Sequence, residues 1–184
     1  MIRYIFISLL TSLFIFNSAK SDISKKIIYN LEKSNNYHFK FTQNINEEKE
    51  TGKCILSFNR KINCKYDNSG KILISDGKNL IVKNNVSNNP SFYRLENTSF
   101  YKILDKDYLI NELKIRKVVD EKGKIFVNVN YQNNKIIVFF DKDKFLISGW
   151  ITTDLYNNSI FTEIDIIEIN KKIEKNLFDL KNID

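Results

Sequence analysis

The sequence predicts an α+β fold that is mainly β, with a single antiparallel sheet that curls and short helices that cover one face. Apolar and polar residues alternate in many short runs, which is the period of strands with one buried face. Turn residues, such as the Asp76-Gly77 pair, separate these runs. No long helix lies between strands, so neighbouring strands are expected to pair antiparallel. We count about 10 to 11 strands and roughly three helices by these signals.

The first segment, residues 1–21, has the anatomy of a signal peptide that is cleaved after Ser21. Arg3 gives a positive start, and residues 4–16 form an apolar run of about 13 residues. A transmembrane helix needs roughly 20, although an uncleaved anchor is the alternative. No cysteine follows the run, so an acylated protein is not expected. Residues 22–184 are predicted to form one exported domain.

The mature chain is basic. Removing residues 1–21 takes Arg3 and Lys20 from the 29 basic residues and leaves 27 against 22 acidic ones. Such a surface could meet anionic lipid headgroups or an acidic partner, but the lysines are scattered among carboxylates. No basic stripe indicates nucleic-acid binding, and we expect no nucleic-acid partner.

The elements begin with an amphipathic helix at 22–33, whose apolar side includes Ile27 and Leu31. A strand meander from 37 to 83 follows. Phe39 and Phe41 share one parity with the other apolar residues of their strand, so one face of this sheet is strongly aromatic.

Two cysteines, Cys54 and Cys64, lie on consecutive strands of the meander, and in an exported chain they invite a disulfide. If they face each other, Leu56 pairs with Ile62 and the turn centres near Asn59. Opposed residues of an antiparallel pair lie about 4.5–5.5 Å apart at Cα, which suits an S–S bond. No CxxC pair and no nearby histidine are present, so a structural bond is favoured over redox chemistry or a metal site.

The second half of the chain alternates helical and β patterns after a loop that contains Pro90. Phe92–Arg94 is predicted to be a short strand, and helical stretches open at Asn97 and Asp107. Residues 177–180 are expected to dock along a sheet edge. Further strands are predicted at 115–119, 125–131, 136–140, 146–153 and 160–169.

No pattern in the chain indicates catalysis. The lone histidine, His38, lies on the polar side of its strand, and nucleophile elbows, phosphate loops and zinc or calcium motifs are absent. Asp141 and Asp143 belong to a turn, where solvation explains them. We therefore expect a protein that is not an enzyme and that needs no cofactor or metal.

The aromatic face of the sheet can be covered in two ways. The helices either fill it and make a solid core, or leave an apolar cavity for a lipid-like ligand. The alternation of residues does not separate these alternatives, because every β domain alternates.

A series of short motifs runs through nearly the whole mature chain. It comprises Phe39–Gln43 (FKFTQ), Gly52, Phe58–Arg60, Tyr66, Ile74–Lys78 (ISDGK), Asn97–Leu104, Leu146–Asp154, Phe161–Thr162 and Leu177–Phe178. In this order the motifs resemble the LolA family of periplasmic outer-membrane lipoprotein carriers. The resemblance implies an incomplete β-barrel with a helical lid over a hydrophobic cavity.

The resemblance also implies a function and partners. Such chaperones take acylated lipoproteins from an inner-membrane ATP-driven release complex, cross the periplasm as monomers and deliver the cargo to an outer-membrane acceptor. Arg60 matches the family's functional arginine and is implied to hold the lid. Lys61, Leu80 and Ser99 depart from the family pattern, and the disulfide is not a general family trait.

Ten large apolar residues are candidates to line the cavity. They are Phe39, Phe41, Leu56, Phe58, Leu80, Phe92, Phe100, Leu104, Phe140 and Trp150. Their positions depend on strand register, which sequence fixes poorly. Two rival functions stay open: a periplasmic binder of another hydrophobic ligand such as a free lipid, and a ligand-free interaction domain.

Overall fold

The computed structural model describes residues 22–46, 48–84, 87–121, 123–131, 134–153 and 158–183. The predicted signal peptide, residues 1–21, lies outside the described residues. Within the described part of the chain, every helix is too short or too polar to cross a bilayer.

The predicted α+β class is confirmed, because one antiparallel sheet of eleven strands dominates the described residues. The strands are β1 (Asn36–Ile45), β2 (Glu48–Ser57), β3 (Lys61–Tyr66), β4 (Ile72–Asp76), β5 (Asn79–Asn84), β6 (Ser87–Arg94), β7 (Val119–Glu121), β8 (Lys124–Tyr131), β9 (Asn134–Phe140), β10 (Ile147–Thr153) and β11 (Ser159–Ile169). Their order across the sheet is β6-β5-β4-β3-β2-β1-β11-β10-β9-β8-β7. The edges β6 and β7 do not pair, so the sheet curls without closing into a barrel.

In the described residues, three short α-helices accompany the sheet: α1 over 22–33, α2 (Phe100–Ile103) and α3 (Lys106–Ile115). The helix α3 begins before the predicted start at Asp107 and runs into the segment 115–119 that was predicted as a strand. It starts early because the Asp105 side chain caps it and accepts a hydrogen bond from the Tyr108 backbone N–H at 3.0 Å. Since it runs through Ile115, the strand predicted from that residue begins only at Val119.

The main core lies between the helices and one face of the sheet, here called the inner face. Alternate residues of each strand point to this face, and the helices cover it with large aliphatic side chains. The helical contribution consists of Ile27, Leu31, Ile103, Leu104, Leu109, Ile110 and Leu113, all buried.

The opposite, outer face carries a second and smaller cluster under a C-terminal strap, residues 170–183. Leu177 lies over β3, where its carbonyl oxygen accepts a hydrogen bond from the Asn63 side chain at 2.7 Å. The end of the strap, a 3-10 turn at Leu180–Ile183, packs on β4 and β5 against Ile74 and Ile81. The expectation that residues 177–180 dock along a sheet edge is therefore wrong, because β3, β4 and β5 are internal strands.

Candidate functional site

The candidate site is the apolar inner face of the sheet beneath α2. Aromatic side chains meet edge to face across several strands, with ring centroids 6.4 Å apart for Phe39 and Trp150 and 4.8 Å apart for Phe41 and Tyr66. From α2, Phe100 reaches the same Trp150 ring at 6.4 Å. The helix therefore touches the aromatic surface that a hydrophobic ligand would contact.

The structure brings nine of the ten candidate cavity residues to the inner face. Phe100 is half-buried, and the other eight are buried: Phe39, Phe41, Leu56, Phe58, Leu80, Leu104, Phe140 and Trp150.

Phe92 is the exception, and its expected place in the interior is corrected. Its side chain is 69% exposed. It pairs with Ile81, which belongs to the outer-face cluster, whereas the next residue, Tyr93, pairs with the inner-face Leu80. Paired residues share a face, so Phe92 lies on the outer face of the edge strand β6.

In this structure the interior is closed. The space between Phe39, Phe41, Phe100 and Trp150 is a cavity of about 10 Å³. That volume is at or below what a single water molecule needs. The helices thus fill the inner face, and any ligand would enter only after α2 and its neighbours move.

An ion pair connects the covering helices to the sheet. Arg60, in the turn between β2 and β3, lies 2.5 Å from the Asp105 carboxylate. Asn59 also forms a backbone bridge with Asp105, and the Arg60 guanidinium lies 4.7 Å from the centre of the Tyr101 ring. The hydrogen bond to Asp105 raises the pKa of Arg60 above its ordinary value, so the charge is permanent.

A second set of contacts of α2 involves Lys102. The Lys102 ammonium is 4.1 Å from the Tyr108 ring centre and 4.8 Å from that of Tyr131, which is within cation–π range. The Tyr131 hydroxyl donates to the Glu96 carbonyl oxygen at 3.2 Å. These contacts join α2 to α3 and β8.

Sequence reasoning missed Asp105 and Lys102. An aspartate before a helical run is a capping signal, which could have identified Asp105 in place of Asp107. No comparable signal marks Lys102, because its tyrosine partners come from two other elements.

Polar side chains form a further buried group on the inner face. Gln43 of β1 donates from Nε2 to the Thr162 hydroxyl of β11 at 3.1 Å, and the Tyr66 hydroxyl lies 3.4 Å from Gln43 Oε1. Burial raises the pKa of Tyr66, so its hydroxyl stays protonated. Next to it, Lys71 pairs with Glu50 at 2.6 Å and lies 3.9 Å from the centre of the Tyr66 ring.

The predicted disulfide is confirmed. Cys54 and Cys64 are bonded with a Cα–Cα distance of 4.1 Å, and Leu56 pairs with Ile62 as expected. Both cysteines are buried in the wall of the small cavity.

His38 lies on the outer face beside Glu168, its strand partner. Burial lowers its pKa more than the nearby Glu168 carboxylate raises it. In the described ranges, no three His, Cys, Asp or Glu side chains are grouped so that they could hold a metal ion.

Comparisons with known proteins identify the fold. No protein-family model matches the chain. A curated protein that it matches is a probable DNA polymerase from Ascobolus immersus, 26% identical over 160 residues. The match covers 84% of this chain but only 12% of that protein, so it shows neither a family nor an activity.

Solved structures give the more informative comparison. The lipoprotein LppX from Mycobacterium tuberculosis matches with a TM-score of 0.51 and 13% identity, over 85% of this chain and 98% of LppX. A LolA superfamily protein from Nitrosomonas europaea matches with a TM-score of 0.47 and 8% identity, over 89% of this chain and 98% of that one. At such identity the likeness to LppX concerns the fold alone. With its open, curled sheet and its short covering helices, the chain has the fold of LppX, and this is the incomplete barrel with covering helices that the sequence resemblance implies.

Proposed function

We propose that this protein is a periplasmic carrier that binds the acyl chains of lipoproteins on its inner face. It takes them from an inner-membrane ATP-driven release complex and passes them to an outer-membrane acceptor. The observation that supports this proposal is an apolar inner face covered by short helices that the Arg60–Asp105 ion pair ties to the sheet.

The energetics of acyl chains favour a cover that must be displaced. Each CH₂ removed from water contributes about 0.8 kcal/mol, so full burial of several acyl chains would exceed the affinity limit near −20 kcal/mol. A carrier that tight would not release its cargo. The cost of displacing the helices opposes binding and brings the net affinity into a range that allows transfer.

The length of α2 suits such a displacement. Its four residues are too few for an independently stable helix, so packing and the neighbouring ion pair hold it in place. A ligand that replaces it therefore has to outweigh this packing and the ion pair, and not any stability of the isolated helix.

A ligand-free interaction domain is the second candidate. The observation that favours it is the closed interior, in which the cavity measures about 10 Å³. A binder of free lipid on the same fold is the third, and it differs from the carrier only in the ligand.

Native mass spectrometry of the protein, purified from a periplasm without detergent, tests the proposal first. A mass increment that fragments to diacylated or triacylated peptides is the expected result. A mass increment that corresponds to free phospholipid would support the binder of free lipid instead. A clean mass, with no uptake of an added lipopeptide, would contradict a carrier and support the interaction domain.

A further inference from the structure

We propose that Gln43, Tyr66 and Thr162, the polar row, bind the carbonyl oxygen of an acyl ester or amide and so fix the orientation of the acyl ligand. This inference rests on the proposed function and names the part of the ligand that the inner face recognises.

The position of the polar row in the sheet is the first argument. Along the inner face of β1 the side chains are, in order, Ile45, Gln43, Phe41, Phe39 and Tyr37, so the polar Gln43 lies near one end and three aromatic residues follow it towards the other. Gln43 pairs with Thr162 of β11, which pairs with Trp150 of β10. A ligand with a polar group at Gln43 would therefore lay its apolar part over the aromatic surface.

The polar row also lies away from the Arg60 contact. Gln43 and Tyr66 are near the ends of β1 and β3, whereas Arg60 precedes β3. Because β1 and β3 both pair antiparallel with β2, they run in the same direction. Their last residues, near Gln43 and Tyr66, therefore lie together at one end of the sheet, and Arg60 lies at the other. The polar end of the ligand and the ion pair of the covering helices would thus occupy opposite ends of the interior.

Burial gives the polar row its energetic weight. Thr162 is 2% exposed and Gln43 is 7% exposed, and both line the small cavity together with Tyr66. An acyl carbonyl that enters this interior loses its hydrogen bond to water, and without a donor in the protein nothing would replace that bond. The three side chains are the hydrogen-bond donors of the cavity lining besides the Trp150 indole.

The hydrogen bonds of the row can be rearranged. The Tyr66 hydroxyl reaches Gln43 Oε1 only at 3.4 Å, beyond the usual 2.5–3.0 Å for O–H···O bonds. Redirecting this weak bond to a ligand carbonyl costs little. Thr162 accepts from Gln43 at 3.1 Å and can donate its own proton to a second acceptor.

The charges around the row favour a neutral acceptor. The nearby Lys71 ammonium is neutralised by Glu50 at 2.6 Å. Tyr66 stays protonated, because burial raises its pKa. A carbonyl group fits three neutral donors, whereas a phosphate or carboxylate would need an unpaired cation.

Ester-linked and ether-linked lipids of equal chain length test the inference, because the ether lacks only the carbonyl groups. We would measure the affinity of the full protein for diacyl and dialkyl phosphatidylcholine, and for a diacylglyceryl lipopeptide and its dialkyl analogue. The unaltered protein should prefer each ester to its ether by about tenfold, the effect of one to two neutral hydrogen bonds. Comparing the lipopeptide with the phospholipid identifies the source of the carbonyl.

Tyr66→Phe and Thr162→Val should remove most of the ester preference and leave ether binding unchanged. Thr162→Ser keeps the hydroxyl and should keep the preference. The control is Thr42→Val, the same replacement on the outer side of β1, which should have no effect. Unfolding curves confirm that each variant folds.

Two results would overturn the inference in distinguishable ways. If the unaltered protein binds esters and ethers equally, the polar row does not recognise the carbonyl group. The same holds if the ester preference survives both Tyr66→Phe and Thr162→Val. In either case the apolar interior still binds lipid. Binding of none of the four lipids would reject the proposed function and the polar row together.

Discussion

Asp105 has two roles in the structure. Its carboxylate pairs with Arg60 at 2.5 Å and also caps α3 through the Tyr108 backbone N–H at 3.0 Å. The side chains of Arg60 and Asp105 are 38% and 13% exposed, so solvent screens the pair in part. Opening the interior would break the pair, while the cap can stay with α3.

Replacing Arg60 should therefore affect cargo release more than folding. In Arg60→Leu the helices open at lower cost, so binding becomes tighter, and we expect transfer to the acceptor to slow by about fivefold. The free energy of unfolding should fall by about 1 kcal/mol or less. Transfer of a lipopeptide and denaturant unfolding measure the two quantities.

Two further variants serve as controls for Arg60. Arg94→Leu removes an exposed arginine that pairs with Glu96, and it should leave transfer unchanged. Asp105→Asn keeps a good capping residue without the charge, and it should behave like Arg60→Leu. If transfer by Arg60→Leu equals that of the unaltered protein, Arg60 has no part in the mechanism.

Asp141 gives a pH-dependent contribution to stability. Its carboxylate accepts hydrogen bonds from the backbone N–H groups of Lys144 at 2.7 Å and Asp143 at 2.9 Å. The bond from Lys144 is the largest influence on its pKa, which lies below the ordinary value although burial opposes the shift. The stabilisation is thus complete above the unfolded pKa of about 3.9 and is lost as the pH falls through the folded pKa.

Asp141→Ala should lower the free energy of unfolding at neutral pH by about 1 kcal/mol, since the carboxylate is largely solvated. The difference from the unaltered protein should shrink in acid, and urea unfolding across a pH series measures it. Asp143→Ala, in the same turn, is the matched control. A difference that stays constant down to low pH would exclude the ionised carboxylate as the cause.

Within the sheet, β10 and β11 approach each other closely at Gly149. A Cβ there would collide with the Thr162 carbonyl oxygen and lie 3.2 Å from the Glu163 Cα. The missing side chain also lets the outer-face rings of Phe139 and Phe161 meet with centroids 5.8 Å apart.

Gly149→Ala should destabilise the protein by about 1–3 kcal/mol, because backbone atoms cannot move aside as a flexible side chain can. Gly123→Ala is the control, since no atom lies within 4 Å of its Cβ position. There only the φ of +78° is unfavourable, which costs about 1 kcal/mol. An unchanged unfolding midpoint in Gly149→Ala would contradict the close approach of β10 and β11.

One aromatic ring of α2 contributes to the cover over the interior. Phe100 packs against Trp150 beside the small cavity, so Phe100→Ala should open space there and increase uptake of an apolar fluorescent dye in the absence of cargo. Loss of the half-buried ring should lower the free energy of unfolding by about 2 kcal/mol. Phe92→Ala, on the outer face, should change neither quantity. Equal dye uptake by both variants would show that α2 does not close the interior.

The fold was predictable from sequence because alternation and turns are local signals. Cys54 and Cys64 fixed the register of one hairpin, and the structure confirmed it. The face of the sheet on which Phe92 lies was not predictable, because apolar residues occupy both faces of β6 and of the neighbouring strand β5. The position of the strap was predicted wrongly, since its contact of Ile183 with Ile74 joins residues that are far apart in the chain.

The candidate site was predictable only in its apolar part. Large aromatic residues identify an inner face, but a closed cavity and an open one have the same residue pattern. Asp105 and the polar row depend on which strands and turns become neighbours. Gln43 and Thr162, for example, are 119 positions apart in sequence.

The pairing of β1 with β11 has a consequence for how the chain folds. These two strands lie at the centre of the sheet, yet one comes first among the strands and the other last. Contacts this distant in sequence slow folding, because a long loop must close before they form. The aromatic side of β1 must therefore stay soluble while the rest of the chain emerges, and a chain that ends before Ser159 would have two separate half-sheets with two additional open edges.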